Sequence, residues 1–295
     1  MSTILKWAGN KTAIMPELLK HLPVSAPRLV EPFAGSCAVM MATDYPAYLV
    51  ADINADLINL YRKAAEQTEA LIEAVRAYFS ADNSEASYYL RREQFNNDSA
   101  LTLLERAALF LYLNRHGYRG MCRYNRRGQF NVPFGNYKKP YFPEAEIYAF
   151  AEKAKRATFV CGSFEETLNM TEAGDIIYCD PPYASDEGSA FTQYHSEPFG
   201  EAEQYHLASV LQRLGTEGRH VVASNSDSYL TRSLYREFIC HQIVAPRGIG
   251  CAAGDGKSAA EIIAVTKPHN AIADGAVWFG VDMAKGVDFT PGVRA

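Results

Sequence analysis

The chain has 295 residues, 48% hydrophobic and 21% charged, which suits one or two globular domains and excludes disorder throughout. No apolar run approaches the roughly 18–20 residues of a membrane span, and the start, MSTILKWAGNK, lacks the basic and apolar stretches of a secretory signal. Six cysteines without a CxxC pair argue against structural zinc and a disulfide scaffold and make a cytoplasmic protein the default.

In chain order, a helical pattern over 10–21 precedes a buried strand at 28–33 (RLVEPF), a helix at 36–43 and a strand at 48–53 (YLVADI). Helical spacing returns over 145–155, then strands at 157–162 and 175–179, a helix at 200–216, and strands at 219–224, 238–244 and 261–266. Strands alternating with helices predict a doubly wound α/β fold with a mainly parallel sheet. The last two strands lack a helix-length connection and read as an antiparallel pair at one end.

Residues 55–144 break this rhythm with a mostly helical insertion, followed by RGQFNVPFG as a hairpin or extended loop. The tail after Pro268 has little core pattern beyond Val277, Trp278 and Phe279. The net charge of −5 hides an asymmetry: between Glu105 and Glu144 there is no acidic residue, while arginines, lysines and tyrosines alternate. A basic, aromatic segment on an acidic chain suits contact with a polyanion on one face; a solvated basic loop paired with acidic neighbours is the alternative.

Two segments suit chemistry. Glu31-Pro32-Phe33-Ala34-Gly35-Ser36 ends the first strand, where a glycine turn lets a ligand approach the backbone. Asp52 ends the next strand, near the spacing at which an acidic residue meets ribose hydroxyls; a tight turn and a helix cap would look the same. Asp180-Pro181-Pro182-Tyr183 follows the apolar strand IIYC. Two prolines cannot extend a central strand, so the chain becomes a stiff loop at the sheet's carboxyl edge, where open α/β sheets bind ligands. One carboxylate, one free carbonyl and one aromatic face suit a planar base with an exocyclic amine. An Asp-Pro-Pro turn capped by a buried tyrosine is the bland alternative.

Taken together, LKWAGNK (5–11), EPFAGS, Asp52 in VADIN, DPPY and the segment NRHGYRGMCRYNRRGQFNVPFGNYKKPYFPEAE (114–146) resemble the Dam-type DNA adenine-N6 methyltransferases over nearly the whole chain to about residue 268. The resemblance implies a Rossmann-like methyltransferase fold with S-adenosyl-L-methionine as methyl donor, no metal, double-stranded DNA as partner and a monomer. It implies a donor-binding catalytic domain at 1–55 and 145–268, a target-recognition domain at 56–144 and a tail of unknown role at 269–295. Asp180, Pro181, Pro182 and Tyr183 would be catalytic. Trp7, Lys11, Phe33, Gly35, Asp52, Ser163 and Phe164, with Asp180, would line the donor pocket. An adenine flipped out of the duplex, within GATC, would be read by Lys6, Tyr118, Arg119, Met121, Arg123, Asn125, Pro133 and Tyr137, with Arg123 pairing to guanine. Arg126, Arg127, Lys138 and Lys139 look like phosphate contacts. Cys37 stands where many relatives have a second glycine, Asn10 replaces a glycine of the usual WAGGK, and Arg119 and Asn136 sit where relatives carry Asn and Arg. Gly248–Lys257 reads as a loop that orders on DNA. DPPY alone leaves open cytosine N4, RNA adenine or a protein glutamine, and a DNA-binding relative without catalysis.

Overall fold

The computed structural model describes residues 3–80, 83–184, 199–246 and 258–267. Gly248–Lys257 and the tail cluster Val277, Trp278 and Phe279 lie outside the described residues. Seven strands form one sheet in the order β3-β2-β1-β4-β5-β7-β6: β1 (Arg28–Glu31), β2 (Ala47–Asp52), β3 (Ala157–Cys161), β4 (Ile176–Cys179), β5 (His220–Ser226), β6 (Phe238–Pro246) and β7 (Ser258–Thr266). The first five run parallel. Strand β7 enters antiparallel between β5 and β6, as the missing crossover helix predicts. The mixed α/β layout accords with the methyltransferase fold that the resemblance implies.

Both sheet faces are covered, so the central strands are apolar on alternate residues toward two cores. Tyr48, Val50, Tyr178 and Ile263 face one core; Leu49, Ile177, Cys179 and Ile262 face the other. The second is closed by Leu207, Leu211 and Leu214 of the helix Glu201–Thr216. The first runs without a break into the insertion, where four helices, Ala55–Glu66, Thr68–Phe79, Glu85–Asn97 and Leu103–His116, supply Leu57, Leu71, Phe95 and Phe110.

Local chemistry sets where elements begin. The expected helix over 10–21 is broken into a 3-10 turn (Lys11–Ala13), a four-residue helix (Met15–Leu18) and a second 3-10 turn (Leu19–His21). Asn10 caps the first through Thr12 N at 2.8 Å, and Pro16, lacking an N–H, restarts the helix. The helix Leu103–His116 starts at a Thr102–Glu105 capping box, a spacing visible in the sequence. The RGQFNVPFG stretch is no regular hairpin. Only isolated bridges, Gly117 to Phe134 and Tyr124 to Phe130, cross it. Its ladder partners are side chains of the helix Glu85–Asn97: Asn96 exchanges both bonds with Phe130 (3.0 and 2.8 Å), and Arg92 and Tyr88 donate to Val132 O (3.0 and 2.9 Å).

Candidate active site

The carboxyl ends of β1 and β4 meet the N-terminal LKWAGNK segment around one pocket. Trp7, Lys11, Glu31, Gly35, Tyr178 and Asp180 are among its walls. Gly35 has φ +46°, and a Cβ there would sit 2.9 Å from Trp7 Nε1. The glycine therefore answers both the turn and the close approach of the indole. Asp52 locks the same turn: its carboxylate accepts from Gly35 N at 3.1 Å and from Asn54 N at 3.0 Å. Tyr61 donates to Gly35 O at 2.5 Å.

Cys37 occupies the left-handed region, φ 57°, at the start of the helix Ala38–Ala42, and makes no capping bond. A non-glycine residue there is strained by about 1–2 kcal/mol. Its thiol is buried in the core beside Tyr61, not on the pocket wall, and burial pushes its pKa well above the ordinary thiol value. Glu31, at the end of β1, lies near the backbone of Met40 in that helix. Its Oε1 is buried without a partner among the described residues. Glu31 is 2% exposed; burial, with the charge of Asp180 nearby, pushes its pKa up to about 8.

Asp180 continues β4 on the face of Tyr178. Its Oδ1 pairs with Lys11 Nζ at 2.8 Å. The same ammonium donates to Gly9 O at 2.8 Å and lies 4.8 Å from the Tyr183 ring centroid. Burial raises the Asp180 pKa, Lys11 opposes that rise, and Glu261 adds to it. Past Asp180, carbonyls are taken in turn: Gln204 Nε2 donates to Pro182 O at 2.6 Å and Ser226 Oγ to Ala184 O at 2.8 Å. Pro181 O is left without a protein partner among the described residues.

Trp7, Lys11, Phe33, Gly35, Asp52 and Asp180 are thus gathered at one sheet edge. Phe164 joins through Phe33, stacked at 5.7 Å, with Phe199 edge-on to both. Ser163 is held in a capping box: its hydroxyl donates to Glu166 Oε2 at 2.9 Å and accepts from Glu166 N at 3.2 Å.

The basic segment forms a second region. Lys6 Nζ lies 4.0 Å over the Tyr137 ring, and Lys6 is held by Asn114, which accepts from its N–H at 3.0 Å and donates to its carbonyl at 2.8 Å. Tyr118 is exposed, with Arg119 5.2 Å from its ring; Tyr118 N donates to Pro133 O at 2.8 Å. Arg123 Nε donates to Asn131 Oδ1 at 2.8 Å, which fixes its guanidinium in the loop. Asn125 builds a turn by accepting from Arg127 N and Gln129 N. Met121 is partly buried; Arg126, Arg127, Lys138 and Lys139 are exposed. Arg119 and Asn136 both have positive φ (55° and 50°). The sequence reading missed Glu31, Gln204, Asn225, Asn131 and Glu261. Among the described residues, no group of three His, Cys, Asp or Glu is placed to hold a metal, and no helix is long and apolar enough to cross a membrane.

A sheet of this order, with a glycine turn after β1, a carboxylate after β2 and an Asp-Pro-Pro-Tyr corner after β4, defines a methyltransferase. Residues 7–249 match the family model of the D12 class N6 adenine-specific DNA methyltransferases. The Retron Ec67 DNA adenine methylase of Escherichia coli is 60% identical over 288 residues, 98% of this chain and 97% of that protein. The DNA adenine methylase of Serratia marcescens is 48% identical over 248 residues, covering 83% and 91%. That of Escherichia coli strain K12 is 44% identical over 266 residues, covering 90% and 95%. The chain belongs to the D12 class N6 adenine-specific DNA methyltransferases.

Proposed function

We propose that the protein transfers a methyl group from S-adenosyl-L-methionine to N6 of an adenine flipped out of duplex DNA, within GATC. The observation that carries this reading is the corner after β4: the Asp180 carboxylate, paired with Lys11, is followed by Pro181 O, which has no protein partner among the described residues, while the neighbouring carbonyls of Pro182 and Ala184 are bonded into the fold. Those two acceptors match the two N–H bonds of an exocyclic amine, and Tyr183 offers a ring for stacking.

The pocket fits the donor. The side chains of Glu31, Asp52 and Asp180 stand around the Gly35 turn, so ribose hydroxyls and a cationic sulfur and ammonium find acceptors. Trp7, Phe33 and Phe164 supply apolar faces. When bound, the donor supplies an activated methyl group. Hydrogen bonds to Asp180 and Pro181 O draw the adenine N6 toward a pyramidal form with a freer lone pair, and rigid placement lowers the barrier. Lys11, paired with Asp180 Oδ1 at 2.8 Å, opposes the rise in pKa that burial causes. Once the methyl is on, the cationic nitrogen would pass a proton to the Asp180 carboxylate that accepts from it, and from there to solvent.

Extruding the base costs a few kcal/mol, offset by phosphate contacts of Arg126, Arg127, Lys138 and Lys139. Arg123, held by Asn131, is aimed to pair with guanine O6 and N7. Lys6, Tyr118, Arg119, Met121, Asn125, Pro133 and Tyr137 complete the reading face. Methylation mapping of DNA after expression in a host lacking adenine methylation tests the proposal: N6-methyladenine confined to GATC is expected. Label appearing equally on RNA or on an adenine-free duplex would defeat it.

A further inference from the structure

The Asp180-Pro181-Pro182-Tyr183 corner cannot hold itself, because two of its residues lack an N–H. It is held from outside by three elements. From the helix Glu201–Thr216, Gln204 donates to Pro182 O. From β5, Asn225 Oδ1 accepts from Ala184 N at 3.2 Å, while Asn225 Nδ2 donates to Gln204 Oε1 at 3.0 Å. From β7, Glu261 Oε2 accepts from the Tyr183 hydroxyl at 2.8 Å. Gln204 and Asn225 are buried, at 2% and 0% exposure.

Strand parity explains the last contact. Glu261 pairs in register with Ser226 and shares its face with Ile263 and Val265, which pack in the same core as Tyr178. Asp180, two residues after Tyr178, points to that face too. A carboxylate thus stands within β7, just ahead of its apolar run IIAV, on the side where the Tyr183 ring stands.

We propose that Glu261 is a positioning residue, which pins the Tyr183 hydroxyl so that its ring is a fixed platform for the extruded base. This rests on the reading of the corner as the seat of the target adenine. The peptide clamp fixes where the tyrosine's backbone lies; the Glu261 bond fixes where its ring ends. Without it the ring turns about its side-chain bonds, and a misplacement of about 1 Å can cost about 100-fold in rate.

The test compares wild type, E261L, E261Q and Y183F on a GATC duplex, with 2-aminopurine replacing the target adenine in a parallel fluorescence series. Expected is a fall in kcat of roughly 10–100-fold in E261L, with donor KM changed by less than about threefold. E261Q keeps an oxygen acceptor and recovers most of the turnover. Bound 2-aminopurine emits more strongly with E261L than with wild type, because it no longer stacks. Y183F reproduces the E261L loss, and the double variant is no worse than either single one, as for two ends of one contact. Turnover of E261L within about twofold of wild type, or losses that multiply in the double variant, would overturn the assignment. If E261L does not fold, Y183F decides, because it removes the same bond and leaves β7 intact: wild-type turnover would overturn the proposal. A wild type that puts no methyl on adenine overturns the reading of the corner itself; a wild type that methylates adenine beside an equally active E261L overturns only the role of Glu261.

Discussion

Replacing Glu31 with glutamine probes the most buried carboxyl in the pocket. The amide fills the volume of the carboxyl and does not titrate. Folding moves the Glu31 pKa from the ordinary 4.5 to about 8, so the folded chain holds this proton more tightly than the unfolded one. Between those two values folding takes up a proton, and stability falls as pH rises; below 4.5 the contribution is fully present, and above 8 the loss is complete. At about 1.4 kcal/mol per pH unit, wild type loses about 2–3 kcal/mol between pH 5 and pH 7 through this group, and about 1–2 kcal/mol more by pH 9. E31Q escapes that loss. With an unfolding entropy of about 2.1 cal/mol/K per residue, the gap between the two proteins opens by roughly 4–5 °C in Tm from pH 5 to pH 7. Calorimetric or circular-dichroism melts of both proteins across pH 5–9 measure it, and other titrating groups cancel in the difference. A difference that stays flat with pH would show that Glu31 carries its charge throughout, and the burial argument would fail.

Asp180→Ala is expected to nearly abolish turnover while DNA affinity stays within a few-fold; a labelled-methyl assay alongside a binding assay checks this, and more than about a tenth of wild-type rate contradicts the assigned role. Gly35→Ala places a Cβ 2.9 Å from Trp7 Nε1 at a positive φ, so donor affinity should fall at least tenfold by titration calorimetry; unchanged affinity would separate the turn from the donor site. Arg123→Ala should relax base preference by about 1–3 kcal/mol, read as turnover on duplexes substituted at the guanine. Asn131→Ala, which removes the side-chain bond of that guanidinium but leaves its bond to the Asn131 carbonyl, should do so more weakly. A loss of affinity uniform across sequences would mark Arg123 as a phosphate contact.

The sheet and its sharp corners were legible because they rest on local chemistry. Buried strands are apolar runs, and two prolines after IIYC leave only a stiff loop. The antiparallel end followed from a connection too short for a crossover. Short helices were harder. The helix Phe164–Asn169 escaped the periodicity reading, although Ser163 and Glu166 spell its capping box. The irregular course of 117–137 was out of reach, because several of its backbone groups are bonded by side chains, Arg92 and Asn96 from a helix well upstream and Asn114 from the helix just before it. For the same reason the holders of the catalytic corner were missed: Gln204, Asn225 and Glu261 meet it only when three elements come together. Glu31 was in plain view within EPFAGS, but nothing local showed that it would be buried in the pocket wall beside Asp180. Ser163, expected at the donor pocket, has its hydroxyl in the capping box with Glu166.

The amide of Asn114 acts as a rivet. Fully buried, it bonds both backbone groups of Lys6 and also Gly120 O at 2.9 Å, where a Cβ on Gly120 would strike Lys6. Lys6 is the chain neighbour of Trp7, whose indole rests on Gly35. The leading segment is therefore a strut between the basic loop and the glycine turn, and a shift at one end is transmitted to the other through two adjoining residues.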